Sequence, residues 1–181
     1  MEDKLEEIIL TESDIEKIVN SFAKAIIETT EKLNNIALIG IRTRGVYLAQ
    51  RIRDKIEDFS NKQIPVGILD INFYRDDLAI HSKQPVLRKT EIGFSITDKD
   101  IILIDDVVYT GRTIRSALEG LMDFGRPRLI KLIALIDRGL RELPIHPDIV
   151  GKTIQSSQEE TIQVLLKEHD GEDKVLKIKS T

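Results

Sequence analysis

Runs of apolar residues alternate along the chain with segments in which apolar residues recur every three or four positions. Three runs, at residues 36–41, 101–104 and 129–136, predict buried β-strands. Residues 46–59 and 113–124 have helical spacing and predict helices between them. Strands that alternate with helices predict an α/β fold, in which a mostly parallel, twisted sheet is flanked by helices. In such sheets, ligands bind at the carboxyl ends of the strands.

The two ends of the chain have other patterns. Thr11, followed by Asp14 three residues later, predicts the start of a helix with a capping box. Residues 161–167 and 174–179 predict a small C-terminal hairpin that turns at Asp170-Gly171. We predict a single domain over residues 1–181, divided into an N-terminal helix region (1–35), a core (36–136), and a hood with the hairpin (137–181).

Composition excludes several functional classes. The 181 residues carry 27 Lys and Arg against 31 Asp and Glu, a net charge of -4, so no overall positive charge indicates nucleic acid or a membrane surface. Cysteine is absent, which excludes disulfides, zinc–thiolate sites and cysteine nucleophiles. The acidic N-terminal segment and the lack of a long apolar run predict a cytoplasmic protein without membrane contact.

The segment IILIDDVVYTGRT, at residues 101–113, has the strongest chemical signal. Its acidic pair, Asp105 and Asp106, follows an apolar strand and precedes a Thr-Gly-Arg-Thr turn that opens a helix. Carboxylates can accept hydrogen bonds from two sugar hydroxyls. Backbone N–H groups at the turn and the helix N-terminus can bind a phosphate. The alternative is a helix-capping Asp beside a solvated Asp. We favour a sugar-phosphate site because two adjacent charges at a half-buried strand end are costly without a ligand.

A second turn, GIRTRG at residues 40–45, has the glycine spacing of a Walker A loop. Val46 and Tyr47 stand where that motif requires a lysine and a magnesium-binding hydroxyl, which excludes a P-loop NTPase. Two arginines and the free amides of a strand-to-helix turn predict an anion site. The alternative is a surface turn with solvated arginines.

Residues 101–113 resemble the 5-phosphoribosyl-1-pyrophosphate (PRPP) signature of type I phosphoribosyltransferases. Four further segments make the chain similar to the pyrimidine operon attenuation regulator (PyrR) family from about residue 36 to 152. They are GIRTRGVYLAQR (40–51), FYRDDL (73–78), DFGRP (123–127) and DRGLRELPIHPDIVGK (137–152). The resemblance implies a type I phosphoribosyltransferase fold. It also implies that uracil and PRPP give UMP and pyrophosphate, with Mg²⁺ carried by PRPP rather than by a dedicated protein site. A homodimer or higher homo-oligomer is implied by the same analogy.

The resemblance also assigns site residues. Asp105, Asp106 and Arg44 are the predicted catalytic residues, and Thr43, Arg44 and Gly45 the predicted pyrophosphate site. The predicted PRPP and phosphate site comprises Asp105, Asp106, Val107, Val108, Tyr109, Thr110, Gly111, Arg112 and Thr113.

Tyr109 bears on the identity of the base. Purine phosphoribosyltransferases have an Asp at this position as a proton acceptor, and a tyrosine with a pKa of about 10 cannot replace it near neutral pH. A pyrimidine is therefore favoured, although Tyr109 could instead only pack against the loop. By similarity to related hoods, Asp137 faces the base, Ile149 stacks on it, and the Val150 backbone pairs with its edge. The alternative for Ile149 and Val150 is a buried pair in a short strand.

Residues 75–90 show no periodicity, and a loop this long in a compact domain is usually functional or disordered. Its cations Arg75, Lys83 and Arg88 predict a lid that closes over a polyanion and excludes water.

Binding of pyrimidine-operon mRNA, controlled by UMP, is a second activity that the resemblance implies. Arg141 and Lys152 match RNA-binding positions of the family, whereas Leu140 and His146 replace a usual histidine and arginine. Phosphate contacts dominate affinity for nucleic acid, so RNA regulation is predicted to be reduced, altered or absent. Two alternatives stay open: a PRPP- and nucleotide-sensing regulator with little catalysis, and a phosphoribosyltransferase for another base.

Overall fold

The computed structural model describes residues 4–71 and 90–180. The predicted lid residues Arg75, Lys83 and Arg88, together with the FYRDDL segment, lie outside the described residues. The elements are β1 (Lys4–Leu10), α1 (Glu12–Thr29), β2 (Ile36–Ile41), α2 (Arg44–Ser60), β3 (Val66–Leu69), β4 (Asp100–Val108), α3 (Arg112–Met122), β5 (Leu129–Asp137), β6 (Ile149–Thr153), β7 (Glu160–Leu165), α4 (Lys167–Asp170) and β8 (Lys174–Ser180).

Five parallel strands form the main sheet in the order β3-β2-β4-β5-β6. One hydrophobic core contains residues of α1 and α2, and a second contains residues of α3, so helices cover both faces. All six residues of β2 are buried, which explains why this strand is a continuous apolar run. The predicted α/β fold with a parallel sheet is confirmed. Because β2 and β4 are neighbours, the turns that follow them share one edge of the sheet.

The first helix starts as its sequence predicts. The Thr11 hydroxyl accepts a hydrogen bond from the Asp14 amide at 3.4 Å, and the Asp14 carboxylate accepts one from the Thr11 amide at 3.0 Å. This reciprocal pair is the predicted capping box, and it satisfies amide groups that the first turn of a helix leaves without acceptors.

The central strand is longer than predicted. The prediction that it ends at Ile104 was wrong, because β4 continues to Val108 by pairing with β5, where Val108 lies opposite Asp137. The acidic pair therefore lies inside the strand rather than after it. Helix α2 also begins two residues earlier than predicted, at Arg44.

A three-stranded antiparallel sheet, in the order β1-β8-β7, forms a second layer. The predicted hairpin of β7 and β8 is confirmed, with the short helix α4 and the left-handed Gly171 (φ 84°) in its connection. Strand β1 was not predicted. It pairs with β8 from Lys4 opposite Ser180 to Leu10 opposite Val175, so both ends of the described chain lie in one sheet.

Candidate functional site

The acidic pair lies at the centre of the site, near the carboxyl end of β4. Asp105 is buried, and its Oδ1 accepts a hydrogen bond from the Asp106 amide at 3.0 Å. The half-buried Asp106 carboxyl lies near the guanidinium of Arg44. Desolvation raises the pKa of Asp106, although hydrogen bonding between its side chain and Asp105 and the charge of Arg44 oppose that rise. The charged form of Asp106 is therefore held at an energetic cost, which hydroxyl donors of a ligand would reduce.

The turn after β4 borders a cavity. Residues Val107 to Ile114 line about 230 Å³ of space between the strand and α3. Gly111, at φ 93°, provides the left-handed turn that starts α3, a conformation that L side chains rarely adopt. The first turn of a helix has amide groups without intrahelical acceptors, and the residues of that turn line this cavity. No acidic residue occupies the first turn of α3, so its positive dipole end is not neutralised there.

The segment that follows β5 holds this turn in place. The Thr110 carbonyl accepts hydrogen bonds from the amides of Glu142 and Leu143 at 2.9 and 3.1 Å. The Arg112 side chain donates to the Glu142 carboxylate at 2.6 Å. The cavity is thereby braced by residues that lie about thirty positions further along the chain.

Tyr109 is held on two sides. Its ring lies under the Arg138 guanidinium, 4.1 Å from the ring centroid to Cζ, and its carbonyl accepts from Arg141 Nη1 at 2.7 Å. The packing that was considered as the alternative for Tyr109 is therefore present, while the position still lacks the Asp of the purine enzymes.

Arg138 is a residue that the sequence analysis missed. It is 8% exposed, and its guanidinium donates to the Ser156 hydroxyl (2.9 Å) and to the carbonyls of Ser157 (2.9 Å) and Glu160 (2.8 Å). It thereby joins the end of β5 to the connection between β6 and β7. Its position between Asp137 and Gly139 in the DRG segment was the available signal, since a buried arginine is rare unless its donors are paired.

Asp137 and Arg141 form a pair within the hood. Asp137 Oδ1 lies 2.8 Å from Arg141 Nη2 and also accepts from the Gly139 amide at 2.9 Å. Arg141 donates further to the Ile145 carbonyl at 2.8 Å, and its side chain is 11% exposed. These contacts leave little of the guanidinium exposed to an RNA backbone, and the RNA contact of Arg141 stays a prediction. Its placement favours a structural role.

The remaining hood predictions fall on β6. Ile149 pairs with Ile133 of β5 and packs against the larger core, and Val150 pairs with Ala134. These placements favour the alternative of a pair in a short strand, with both side chains half-buried. Lys152 is exposed, and its ammonium group donates to the Ile9 carbonyl of β1 at 3.1 Å. Its RNA contact stays a prediction.

The turn after β2 depends on close packing. A Cβ atom placed on Gly45 would lie 2.5 Å from the Ile104 carbonyl oxygen, and one on Gly40 would lie 2.5 Å from the Gly45 oxygen. Both glycines are therefore required for α2 to begin directly above β2 and β4. The Arg42–Thr43 peptide bond in this turn is cis.

Arg44 follows at the first position of α2 and reaches the second layer. Its Nε and Nη2 donate to the two carboxylate oxygens of Asp170, at 3.0 and 2.7 Å. This bidentate hydrogen bond raises the pKa of Arg44 and lowers that of Asp170. The contact joins residues 126 positions apart, and no local sequence pattern indicates it.

Together these groups offer two carboxylates, a row of helix-terminal amides and one guanidinium at a single sheet edge. Such a set can bind a diol, a terminal phosphate and a second anion at once. Among residues 4–71 and 90–180, no group of three or more His, Cys, Asp or Glu side chains could hold a metal ion. The described helices also include none that could cross a bilayer.

Comparisons with known proteins agree with this geometry. The family model described as "Phosphoribosyl transferase domain" matches residues 6–169. The chain is similar to the "Bifunctional protein PyrR" of Acetivibrio thermocellus, with 52% identity over 94% of this chain and 92% of the relative. It is also similar to the "Bifunctional protein PyrR" of Pelotomaculum thermopropionicum, with 50% identity over 93% of each chain.

Solved structures share the fold at low sequence identity. A hypoxanthine-guanine phosphoribosyltransferase from Bacillus anthracis superposes with a TM-score of 0.70 at 17% identity, over 97% of this chain and 98% of that one. A hypoxanthine phosphoribosyltransferase from Staphylococcus aureus gives a TM-score of 0.69 at 20% identity, over 94% and 90%. At these identities the likeness shows the fold alone.

Proposed function

The chain belongs to the phosphoribosyltransferase family and to its PyrR group, and from this premise we propose that it transfers the phosphoribosyl group of PRPP to uracil, giving UMP and pyrophosphate. The observation that carries the proposal is the arrangement at the end of β4, where Asp105 and Asp106 lie directly before the amide-lined cavity at Val107 to Ile114. The ribose hydroxyls and the 5′-phosphate of PRPP follow one another in the same order as the acidic pair and the cavity.

In this proposal the two turns bind opposite ends of PRPP. Asp105 and Asp106 accept hydrogen bonds from the ribose hydroxyls, and the amides of the turn through Thr113 bind the 5′-phosphate, with the Thr110 and Thr113 hydroxyls as further donors. Thr43, Arg44 and Gly45 bind the pyrophosphate. Mg²⁺ enters with the substrate as Mg·PRPP, since this ion usually keeps several waters and is bound together with substrate phosphates.

The reaction breaks the bond between ribose C1 and the pyrophosphate oxygen and forms a bond from C1 to uracil N1, which loses its proton. Positive charge develops on the ribose as the bond to pyrophosphate breaks. The protein's contribution is positioning and electrostatics: Asp105 and Asp106 lie beside the developing cation, and Arg44 offsets the charge that builds on pyrophosphate.

The preference for a pyrimidine rests on Tyr109. The tyrosine stands where purine enzymes have a proton-accepting Asp, and its ring is already packed under Arg138. Asp137 lies opposite Val108 at the end of β5, and its carboxylate is paired with Arg141. We assign Ile149 and Val150 to the sheet rather than to the base.

The word "bifunctional" in the relatives' names supports a second role. We assign to it UMP-dependent binding of pyrimidine-operon mRNA, weakened here because Arg141 is enclosed. Lys152 is the remaining candidate of the predicted pair. A gel-shift titration with attenuator RNA and UMP tests this role, and tight, UMP-dependent binding would overturn the expectation of weakened binding.

The main experiment measures UMP formation from uracil and Mg·PRPP, with hypoxanthine, guanine and orotate as competing bases. We expect turnover with uracil and none with the purines. Binding of Mg·PRPP without turnover of any base would favour the sensing alternative, and turnover of another base alone would reassign the substrate. Absence of Mg·PRPP binding in calorimetry would refute the site itself.

Assembly and location complete the proposal. We expect a cytoplasmic homodimer or higher homo-oligomer, since β1 exposes Leu5 (64%) and Ile8 (63%) at the edge of the small sheet. Light scattering at micromolar concentration tests the assembly, and a monomer mass would contradict it.

A further inference from the structure

Helix α2 is tied to the small antiparallel sheet by one row of side chains. Arg44, Tyr47 and Arg51 lie at spacings that place them on one face of the helix. Arg44 binds Asp170, the Tyr47 ring stacks on His169 at 6.3 Å, and Arg51 binds Glu168 and Asp173. The α4 connection of the hairpin is thereby fixed against the start of α2, where the first anion turn lies.

Arg44 is the member of this row that faces the site. Two of its nitrogens, Nε and Nη2, serve Asp170, and within the described ranges Nη1 donates to no protein acceptor. The guanidinium also interacts electrostatically with Asp106, so two carboxylates attract it. One of these belongs to the small sheet, and the other is a ribose-binding candidate.

Asp170 is itself rigidly placed. Its Oδ2 accepts a hydrogen bond from the Leu166 amide at 2.9 Å, and its side chain is 14% exposed. The Asp170 carboxylate is therefore held by a contact that does not involve Arg44. It can orient the Arg44 side chain, which is longer and more flexible. The half-buried pair is bidentate, which is the geometry that holds a guanidinium most strictly.

We propose that Asp170 is a positioning residue, which holds Arg44 away from Asp106 so that Asp106 is left for the ribose and Arg44 for the pyrophosphate. The proposal rests on the function proposed above and extends it to a residue outside both turns. Without Asp170, Asp106 remains as a carboxylate that attracts Arg44. An ion pair between these two would occupy both groups that PRPP needs.

The test compares Asp170→Asn with a matched control, Glu168→Gln, which removes an ion pair from the same α4 connection without touching Arg44. Calorimetry with Mg·PRPP measures binding, and steady-state assays separate KM from kcat. We expect Asp170→Asn to raise the Kd and KM for PRPP by about tenfold, with a smaller fall in kcat. We expect Glu168→Gln to leave both constants within about twofold of the parent.

A double-mutant cycle separates positioning from general support of the fold. If Asp170 acts through Arg44, Asp170→Asn changes PRPP binding by less than about twofold in an Arg44→Lys background. An equal loss in both backgrounds, an equal effect of Glu168→Gln, or unchanged PRPP binding in Asp170→Asn would each overturn the proposal. Thermal unfolding of every variant identifies a loss that comes from unfolding.

Measuring PRPP affinity tests the role of Asp170 separately from the proposed transfer to uracil. PRPP affinity does not depend on which base the protein uses, so a parent protein that fails to convert uracil but binds Mg·PRPP still tests Asp170. A parent that does not bind Mg·PRPP refutes the function on which this inference rests.

Discussion

The turn after β2 and the turn after β4 lie side by side and both open helices, yet they offer anions different groups. The β4 turn presents backbone amides around a cavity, with a left-handed glycine at its end, where α3 begins. The β2 turn presents the Arg44 side chain, whose direction is determined by Asp170 in another sheet.

The difference teaches how a site can treat two phosphate groups differently. Backbone amides are fixed by the path of the chain, which suits the 5′-phosphate because substrate and product both carry it. A guanidinium that Asp170 orients through two of its nitrogens keeps a third for a ligand, which in the proposed function suits a pyrophosphate that is bound and then released.

The largest expected effect separates catalysis from stability at the acidic pair. Asp106→Asn should lower kcat/KM for PRPP by about a hundredfold to a thousandfold, since it removes a charge beside the developing cation. Because burial raises the pKa of Asp106, the neutral side chain should also raise the unfolding temperature of the unliganded protein. Steady-state kinetics and thermal unfolding at pH 7 check both parts, and unchanged kinetics would contradict the role of Asp106.

The next prediction compares the glycines of the two turns. Gly45→Ala should destabilise the protein by about 3 kcal/mol, since its Cβ would lie 2.5 Å from the backbone of β4. The central strand β4 is held in the sheet and cannot move away freely. Gly111→Ala should cost about 1–2 kcal/mol, the strain of a left-handed residue, because the nearest atom is 3.4 Å away. Denaturant unfolding measures both.

Gly93→Ala is the control for these variants, because no atom of residues 4–71 and 90–180 lies within 4 Å of its added Cβ and its φ is not in the left-handed region. Its stability should stay within about 0.5 kcal/mol of the parent. If Gly111→Ala proves the more damaging change, close packing is not what distinguishes the β2 turn.

A smaller effect is expected at the brace of the β4 turn. Tyr109→Ala removes the ring under Arg138 and should destabilise the protein by about 1–2 kcal/mol. Tyr109→Phe keeps the ring and should change the free energy of unfolding by less than about 0.5 kcal/mol. Equal losses in the two variants would mean that the hydroxyl, rather than the stack, supports the turn.

The smallest effects concern the pH dependence of stability. The pKa values of the two carboxyls that interact with Arg44, those of Asp170 and Asp106, are shifted in opposite directions. The pKa of Asp170 is lowered by Arg44, so its stabilisation is present above about pH 4 and is lost as the pH falls through its folded value. The pKa of Asp106 is raised by desolvation, so it destabilises the free protein as the pH rises from about 4 through its folded value.

Unfolding free energies between pH 3 and 7 test this pair of signs. The loss in Asp170→Asn should shrink towards pH 3, and the gain in Asp106→Asn should disappear below about pH 4. Curves that stay parallel to the parent across this range would contradict the assignment.

The sequence predicted the parts of the fold that depend on local pattern. Parallel strands covered on both faces are continuous apolar runs, which is why β2 was located from Ile36 to Ile41 without error. Pairing with β5 extended β4 beyond its apolar run to Val108, and the local pattern could not show this. Strand β1 was missed because its acidic residues are typical of a solvated segment, and its partner lies at the other end of the chain.

At the site, the sequence motifs located both turns. They could not show which residues, distant in sequence, would contact the side chains of the site. Arg138 and Arg141 resemble surface cations in the sequence, but packing encloses both inside the hood. Asp170 was expected only as a turn residue, and it gains its partner through the packing of the small sheet against α2. Side chains whose partners are distant in sequence are therefore where prediction from pattern failed.

The pairing of β1 with β8 has a consequence for biosynthesis. During synthesis, the residues near position 4 cannot pair until those near position 180 have emerged from the ribosome. Asp170, the partner of Arg44, also emerges long after Arg44 itself. A nascent chain that has already folded its parallel sheet would hold the acidic pair and the phosphate cavity, but not an oriented Arg44. Competence for the whole substrate is thus acquired only after residue 170 has been made and has packed against α2.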